Sequence, residues 1–170
     1  MKHNVALSLF FMFFLSLLSQ STAEVYGASL MAEGSQANNN ISYDIVGEGV
    51  GKEGTYLVRV TISSRKGNVS AAQFKLSAVH GVIFKGFLME RIGQQKPLAA
   101  QQAETEHADF FKSFWRDGAY QDYADVVNPV AGRVKCKEGY RISAVVLVKK
   151  DLLRKCLEEA GVIRSLNTGF

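Results

Sequence analysis

The stretch TYLVRVTISS, residues 55–64, leaves the chain little choice of structure. Tyr56, Val58, Val60 and Ile62 alternate with Leu57, Arg59, Thr61 and Ser63, and the first set is the more apolar. Branched and aromatic residues at period two specify a β-strand with one side covered, as in an antiparallel sheet. Near the other end of the chain, Ile142, Ala144, Val146 and Val148 repeat the pattern.

The first strand settles the meaning of the glycines before it. Gly49-x-Gly51-x-x-Gly54 matches the bare dinucleotide-binding pattern. That fingerprint must follow a strand and open a helix, because the helix N-terminus supplies the amides that hold a pyrophosphate. Here a strand follows Gly54. A phosphate loop fails too, since Gly51-Lys52 is followed by Glu53 and not by Ser or Thr. The glycines are expected to connect two strands of a hairpin, the first beginning ISYDIVGEG at Ile41. No cofactor is expected.

Downstream, Lys66-Gly67-Asn68 reads as a turn, with Asn68 capping a helix over Val69–His80 that buries Val69, Ala72, Leu76 and Val79. Gly81 is expected to stop it, and Val82–Phe87 to return as a strand. A polar loop with Pro97 leads to an aromatic helix from Thr105 to Asp117, ended by Gly118. Tyr123–Val127 suggests a short strand. Arg133–Lys137 and Tyr140–Lys149 flank Glu138-Gly139, a hairpin signal. Asp151 then caps a last helix with the stripe Leu152, Leu153, Cys156, Leu157 and Ala160, closed by Gly161. The order, approximately ββαβ-αβββα, lacks strict βαβ alternation. The expected class is α+β, a mostly antiparallel sheet with helices on one face.

The 170 residues suffice for one such domain, and 47% hydrophobic against 21% charged is a globular balance. The first 23 residues stand apart from it. Lys2 and His3 precede the apolar run Val5–Leu18, and Ser21 and Ala23 sit at the −3 and −1 positions of a cleavage site. This is the layout of a secretory signal peptide. As a helix, the run spans roughly 21 Å, short of a bilayer core of about 30 Å, so export outranks a retained anchor. No cysteine is placed for a lipidated N-terminus. Residues 24–40, small and polar, read as a flexible leader, and 41–170 as a single α+β domain. Without residues 1–23 the chain carries 19 Lys+Arg against 16 Asp+Glu. That excess is spread along the sequence, with no concentrated footprint for nucleic acid, and no integral membrane span is expected after cleavage.

Candidate chemistry is sparse. His80 ends a predicted helix and His107 lies in the first turn of another, neither with metal ligands at useful spacing on its own element. Glu104, Glu106 and Asp109 around His107 suit a helix N-terminus. Cys136 and Cys156 could be bridged in an exported chain or remain two free thiols. Phe110, Phe111, Phe114 and Trp115 form one wide apolar face, a core by composition and a candidate binding platform by analogy. Sequons at Asn40 and Asn68 matter only in a host that glycosylates. No catalytic, cofactor or metal residues are assigned.

AVHGVIFKGF (78–87) and KDLLRKCLEEAGVIRSLNTGF (150–170), with the polar loop and acidic-aromatic helix between them, resemble a group of uncharacterised exported proteins of gut-type Gram-negative bacteria. The resemblance implies a periplasmic or surface location and transfers no catalytic residues. The strand–helix–strand order ending in an L-x-x-x-L helix is also similar to the α+β module of flagellar accessory proteins and outer-membrane lipoproteins, a likeness of topology that does not fix function.

The expectation is therefore an exported, non-catalytic binding or cell-envelope assembly protein, with another envelope protein as partner. The alternative is a small periplasmic enzyme whose site unites His80, Cys136 and acidic partners. Sequencing the N-terminus of protein from the envelope fraction should give Glu24 as the first residue. A chain beginning at Met1 in the inner membrane would show the anchor instead.

Overall fold

Nine consecutive residue pairs join the two alternating stretches. In the computed structural model, which describes residues 42–165, β1 (Tyr43–Val50), β2 (Tyr56–Ser64) and β6 (Gly139–Val148) are antiparallel neighbours. The β2–β6 register runs from Tyr56↔Val148 to Ser64↔Tyr140. β5 (Ala124–Cys136) flanks β6, while β3 (Phe87–Met89) and β4 (Gly93–Gln95) extend the other side. The order is β4-β3-β1-β2-β6-β5. Only β1 and β3 run parallel, through Gly47↔Met89. The expected signal peptide and leader, and residues 166–170, lie outside the described residues.

One face of this sheet is the core. Val58, Val60, Ala144, Val146 and Val148 are fully buried there, in one cluster with the apolar residues of every helix longer than one turn. Helix α1 (Ala71–His80) lies across β2, β6 and β5. The fold is α+β, with helices packed on a mostly antiparallel sheet. The glycine cluster does connect two strands. Gly54 adopts φ +77°, the amide of Thr55 donates to the Lys52 carbonyl, and a bulge between Gly47 and Gly49 absorbs the irregularity of β1.

Several local expectations are corrected. Ser70, not Asn68, caps α1. Its hydroxyl accepts from the Gln73 amide, and the Gln73 side chain accepts from the Ser70 amide, a capping box present in the sequence as Ser-x-x-Gln. The buried residues of α1 are Phe74, Ser77, Ala78 and Val79, not the stripe led by Val69. Gly81 does not end the helix. The chain widens into a π-turn, Gly81–Lys85, and stops at Gly86, where φ is +68° and the amide bonds to the Gly81 carbonyl. Val82, Ile83 and Phe84 are all buried. An apolar run enclosed on every side carries no periodicity, so the strand expected over Val82–Phe87 shrinks to Phe87–Met89. The polar loop contributes β4, and its Leu98 and Ala99 amides bond to the carbonyls of Val82 and Ile83.

The aromatic helix is broken. A short α2 (Ala103–Glu106) ends at His107 and α3 (Ala108–Arg116) follows, with Thr105 inside α2 and capping nothing. A 3-10 turn (Ala119–Tyr123) precedes β5, which runs through Pro129 as one strand with two register shifts. The hairpin turn is Lys137-Glu138, one residue earlier than the sequence signal. Helix α4 (Lys150–Glu159) begins without a side-chain cap, and its stripe narrows to Leu153 and Leu157, with Leu152 exposed and Cys156 and Ala160 half-buried. It ends in a Schellman arrangement: the amides of Gly161 and Val162 donate to the carbonyls of Glu158 and Leu157.

Leu157 thus fills the core and anchors the helix end. Leu157→Ala should cost about 2–5 kcal/mol and lower the thermal midpoint on the order of 10 °C. Glu158, half-buried and paired with Arg154 at 2.9 Å, should cost only about 0.5 kcal/mol on mutation to Ala. Calorimetry of both variants checks the contrast; equal small effects would mean α4 is not packed on the sheet.

Candidate functional site

Tertiary folding assembles a cluster that no single element contains. Tyr43 opens β1, His80 closes α1, Glu104 sits on α2 and Trp115 on α3. The Tyr43 hydroxyl lies 2.5 Å from Nδ1 of His80. Nε2 of His80 lies 3.9 Å from a Glu104 carboxylate oxygen. The imidazole meets Tyr43 edge-on and packs between Phe84 and Trp115, with centroids 5.2 and 6.0 Å away. Lys85 places Nζ 3.8 Å from the centre of the Tyr43 ring and donates to the Tyr43 carbonyl.

Gly81 makes this approach feasible. A Cβ there would lie 2.7 Å from Cδ1 of Ile45, so the absence of a side chain lets the α1 end press against β1 without displacing that side chain. The π-turn beginning at Gly81 then turns Phe84 back toward the imidazole.

Burial sets the protonation states. It holds the His80 imidazole neutral down to about 4, with the Lys85 charge acting in the same sense. Burial, and then the Glu104 charge, push the Tyr43 hydroxyl well above its ordinary value, so it remains a donor. The hydrogen bond between Tyr43 and Nδ1 takes its direction from the tautomer of the ring, while Nε2 faces Glu104. With the ring neutral, that contact is a weak polar approach and not an ion pair. Burial raises the Glu104 carboxyl, partly offset by the nearby Trp115 indole. The indole N–H is buried and does not reach hydrogen-bond geometry with any acceptor. Both imidazole nitrogens are thus engaged, and the ring is enclosed by aromatic neighbours. The arrangement ties four elements together through a neutral histidine.

The other sequence candidates fall elsewhere. His107 marks the α2–α3 break, apart from the cluster. Cys136 and Cys156 are free. Cys156 lies against Tyr123, whose hydroxyl is pushed up to about 12, first by the hydrogen bond with that thiol and then by burial. Cys136 ends β5, opposite Gly139, whereas β5 begins beside Tyr123 opposite Val148, a separation of roughly 30 Å along the strand. A disulfide needs Cα atoms within about 7 Å, so this fold does not bring the two thiols together. Of the aromatic face, Phe111, Phe114 and Trp115 are core and only Phe110 is half-buried. They stack on one another and not on a free surface.

A second feature is an open depression of about 400 Å³ at the end of the sheet. It is formed by Ser63 to Arg65 and by the β5–β6 turn, Cys136 to Arg141. Its lining includes no histidine, so His80 and Cys136, which the enzyme alternative would unite, occupy separate features. Among the described residues, no group of three or more His, Cys, Asp and Glu side chains is arranged to hold a metal ion, and no helix is long and apolar enough to cross a membrane. Sequence reasoning missed Tyr43 and Glu104 as partners of His80, because their spacings of 37 and 24 residues carry no local signal.

Comparison of the chain with protein families, with curated proteins and with solved structures finds no match.

The buried imidazole generates a pH dependence. The unfolded chain protonates His80 near its ordinary value of about 6.5, the folded chain only near 4. Between these values the unfolded state binds the extra proton, so stability falls as pH falls from 6.5 to 4, by up to roughly 3 kcal/mol. The raised carboxyl of Glu104 works in the opposite direction, since it protonates more readily in the folded state. His80→Asn keeps an acceptor for Tyr43 and removes the titration. Denaturant unfolding across this range should show a flatter profile for the variant; parallel profiles would mean the ring is not held neutral.

Proposed function

We propose that this chain is an exported binding or envelope-assembly protein that acts through its surfaces and not through a catalytic centre. The observation that carries this reading is the second face of the sheet. Val46 and Val134 are 45% and 61% exposed on it, and Leu57, Val145 and Leu147 are half-buried. Val46, Val145 and the Leu57–Leu147 pair lie in neighbouring register positions, and exposed apolar side chains gathered on one face mark interaction sites. The charges on this face are paired internally: Arg59, which lies between Val46 and Val145, with Glu48, and Arg141 with Asp44. The apolar side chains around Arg59 are what remains for a partner.

The free edge is a poorer candidate. β5 is long, but Pro129 and register shifts around Asn128 interrupt its outer side. Such interruptions block edge-to-edge pairing. Arg59 also reaches the Ala131 carbonyl, which fixes the bulged segment. Face contact, with an envelope protein, suits the molecule better than strand addition. The export signal and the resemblance to exported proteins agree with that setting.

Replacing Val46 and Val145 together by Asp tests the reading in cells. The double variant should be exported normally and lose an envelope protein that co-purifies with the wild type. An unaltered set of co-purifying proteins, or wild-type protein confined to the cytoplasm, would overturn it.

A further inference from the structure

The charge that is scattered in the sequence is gathered in the fold. Ser63 pairs with Arg141 and Ser64 with Tyr140, so the exit of β2 lies beside the tip of the β5–β6 hairpin. The turn after β2 carries Arg65 and Lys66, and the hairpin carries Arg133, Lys135, Lys137 and Arg141. A Cβ on Gly67 would lie 2.8 Å from both Nη2 of Arg133 and the Tyr140 ring, which shows how closely the two segments meet. Against six basic side chains stand two acids, Asp44, bound to Arg141 at 2.5 Å, and Glu138. This excess of four equals the formal net charge of the entire chain, +4. One pole of the sheet therefore accounts for the basicity of the molecule.

Arg133 stacks on Tyr140 with its guanidinium carbon 4.6 Å from the ring centre, leaving its charge at the surface. Arg65, Lys66, Lys135 and Lys137 are exposed. Val134, between Arg133 and Lys135 in sequence, turns to the opposite face of the sheet with Arg141, so the pole offers a contact of charge. The same pole receives the chain from its N-terminal side: Tyr43 pairs with Ile62, and eighteen residues separate Ala23 from Ser42. The apolar run Val5–Leu18 lies just beyond.

We propose that this pole is a contact surface for anionic lipid bilayers. Each Lys or Arg near such a surface contributes a factor of about five to binding. Four to six of them give reversible, peripheral association that weakens with salt. This goes beyond the proposed protein-binding role of the sheet face, and the measurement does not depend on export.

The test uses the chain from Glu24 onward, which keeps every core residue, since these all lie between Val58 and Leu157. Co-sedimentation is measured with vesicles of phosphatidylcholine alone and of phosphatidylcholine mixed with phosphatidylglycerol. The protein should bind the anionic vesicles, not the neutral ones, and less at higher salt. Lys135→Glu with Lys137→Glu should lower the partition coefficient at least about 25-fold. Lys52→Glu with Lys112→Glu, equal in charge change but on the β1–β2 turn and on α3, should lower it far less. Equal losses from both pairs, no binding to anionic vesicles, or binding of a DNA duplex where vesicles fail would each overturn the proposal.

Discussion

The ladder between β2 and β6 is the constraint on which the rest of the molecule depends. Its residues are some eighty positions apart in sequence yet pair without interruption, and Val58, Val60, Ala144, Val146 and Val148 leave no surface exposed. Each other element is placed by reference to it. β1 pairs with β2 and β5 with β6, while α1 crosses β2, β6 and β5 on the covered side. Because the ladder is non-local, loop-closure entropy precedes its reward, and domains of this kind fold more slowly than helical bundles.

The sequence reveals this frame clearly and its periphery poorly. Period-two alternation marks β2 and β6 because one face is covered and the other is not. It fails for Val82–Phe84, where all sides are buried and a π-turn serves as well as a strand. The last helix is legible in position, but its stripe is overdrawn: Leu152 is apolar and exposed, as many surface leucines are. Capping shows the same division. Ser70 and Gln73 form a readable box, whereas α4 starts where β6 ends, with Lys149 held by the Tyr123 carbonyl and Asp151 by that of Gly54. Those backbone bonds come from distant segments and leave no mark in the local sequence.

The sites divide along the same line. His80 is conspicuous in the sequence as a lone histidine at a helix end, but its meaning depends on Tyr43, Lys85 and Glu104. Burial among Phe84 and Trp115, and then the Lys85 charge, hold it neutral. The basic pole is harder still to see. Its residues fall in two short groups, each unremarkable, and their sum appears only when the β2–β6 register lays one group beside the other. A charge count along the chain reports dispersion where the fold has concentration.

Stability and interaction accordingly occupy different parts of the molecule. The covered face and the imidazole cluster are closed systems: apolar side chains touch one another, and each imidazole nitrogen faces a protein group. The basic pole does the reverse. Six like-signed groups repel one another in the folded state, and Asp44, Glu138 and the Tyr140 ring offset part of that cost. Exposed ion pairs contribute little to stability, so the pole gains nothing for the fold that a mixed-charge turn would not supply. A concentration of charge that the core does not require, beside the end of the sheet where Tyr43 pairs with Ile62, is the feature on which the proposed lipid contact rests.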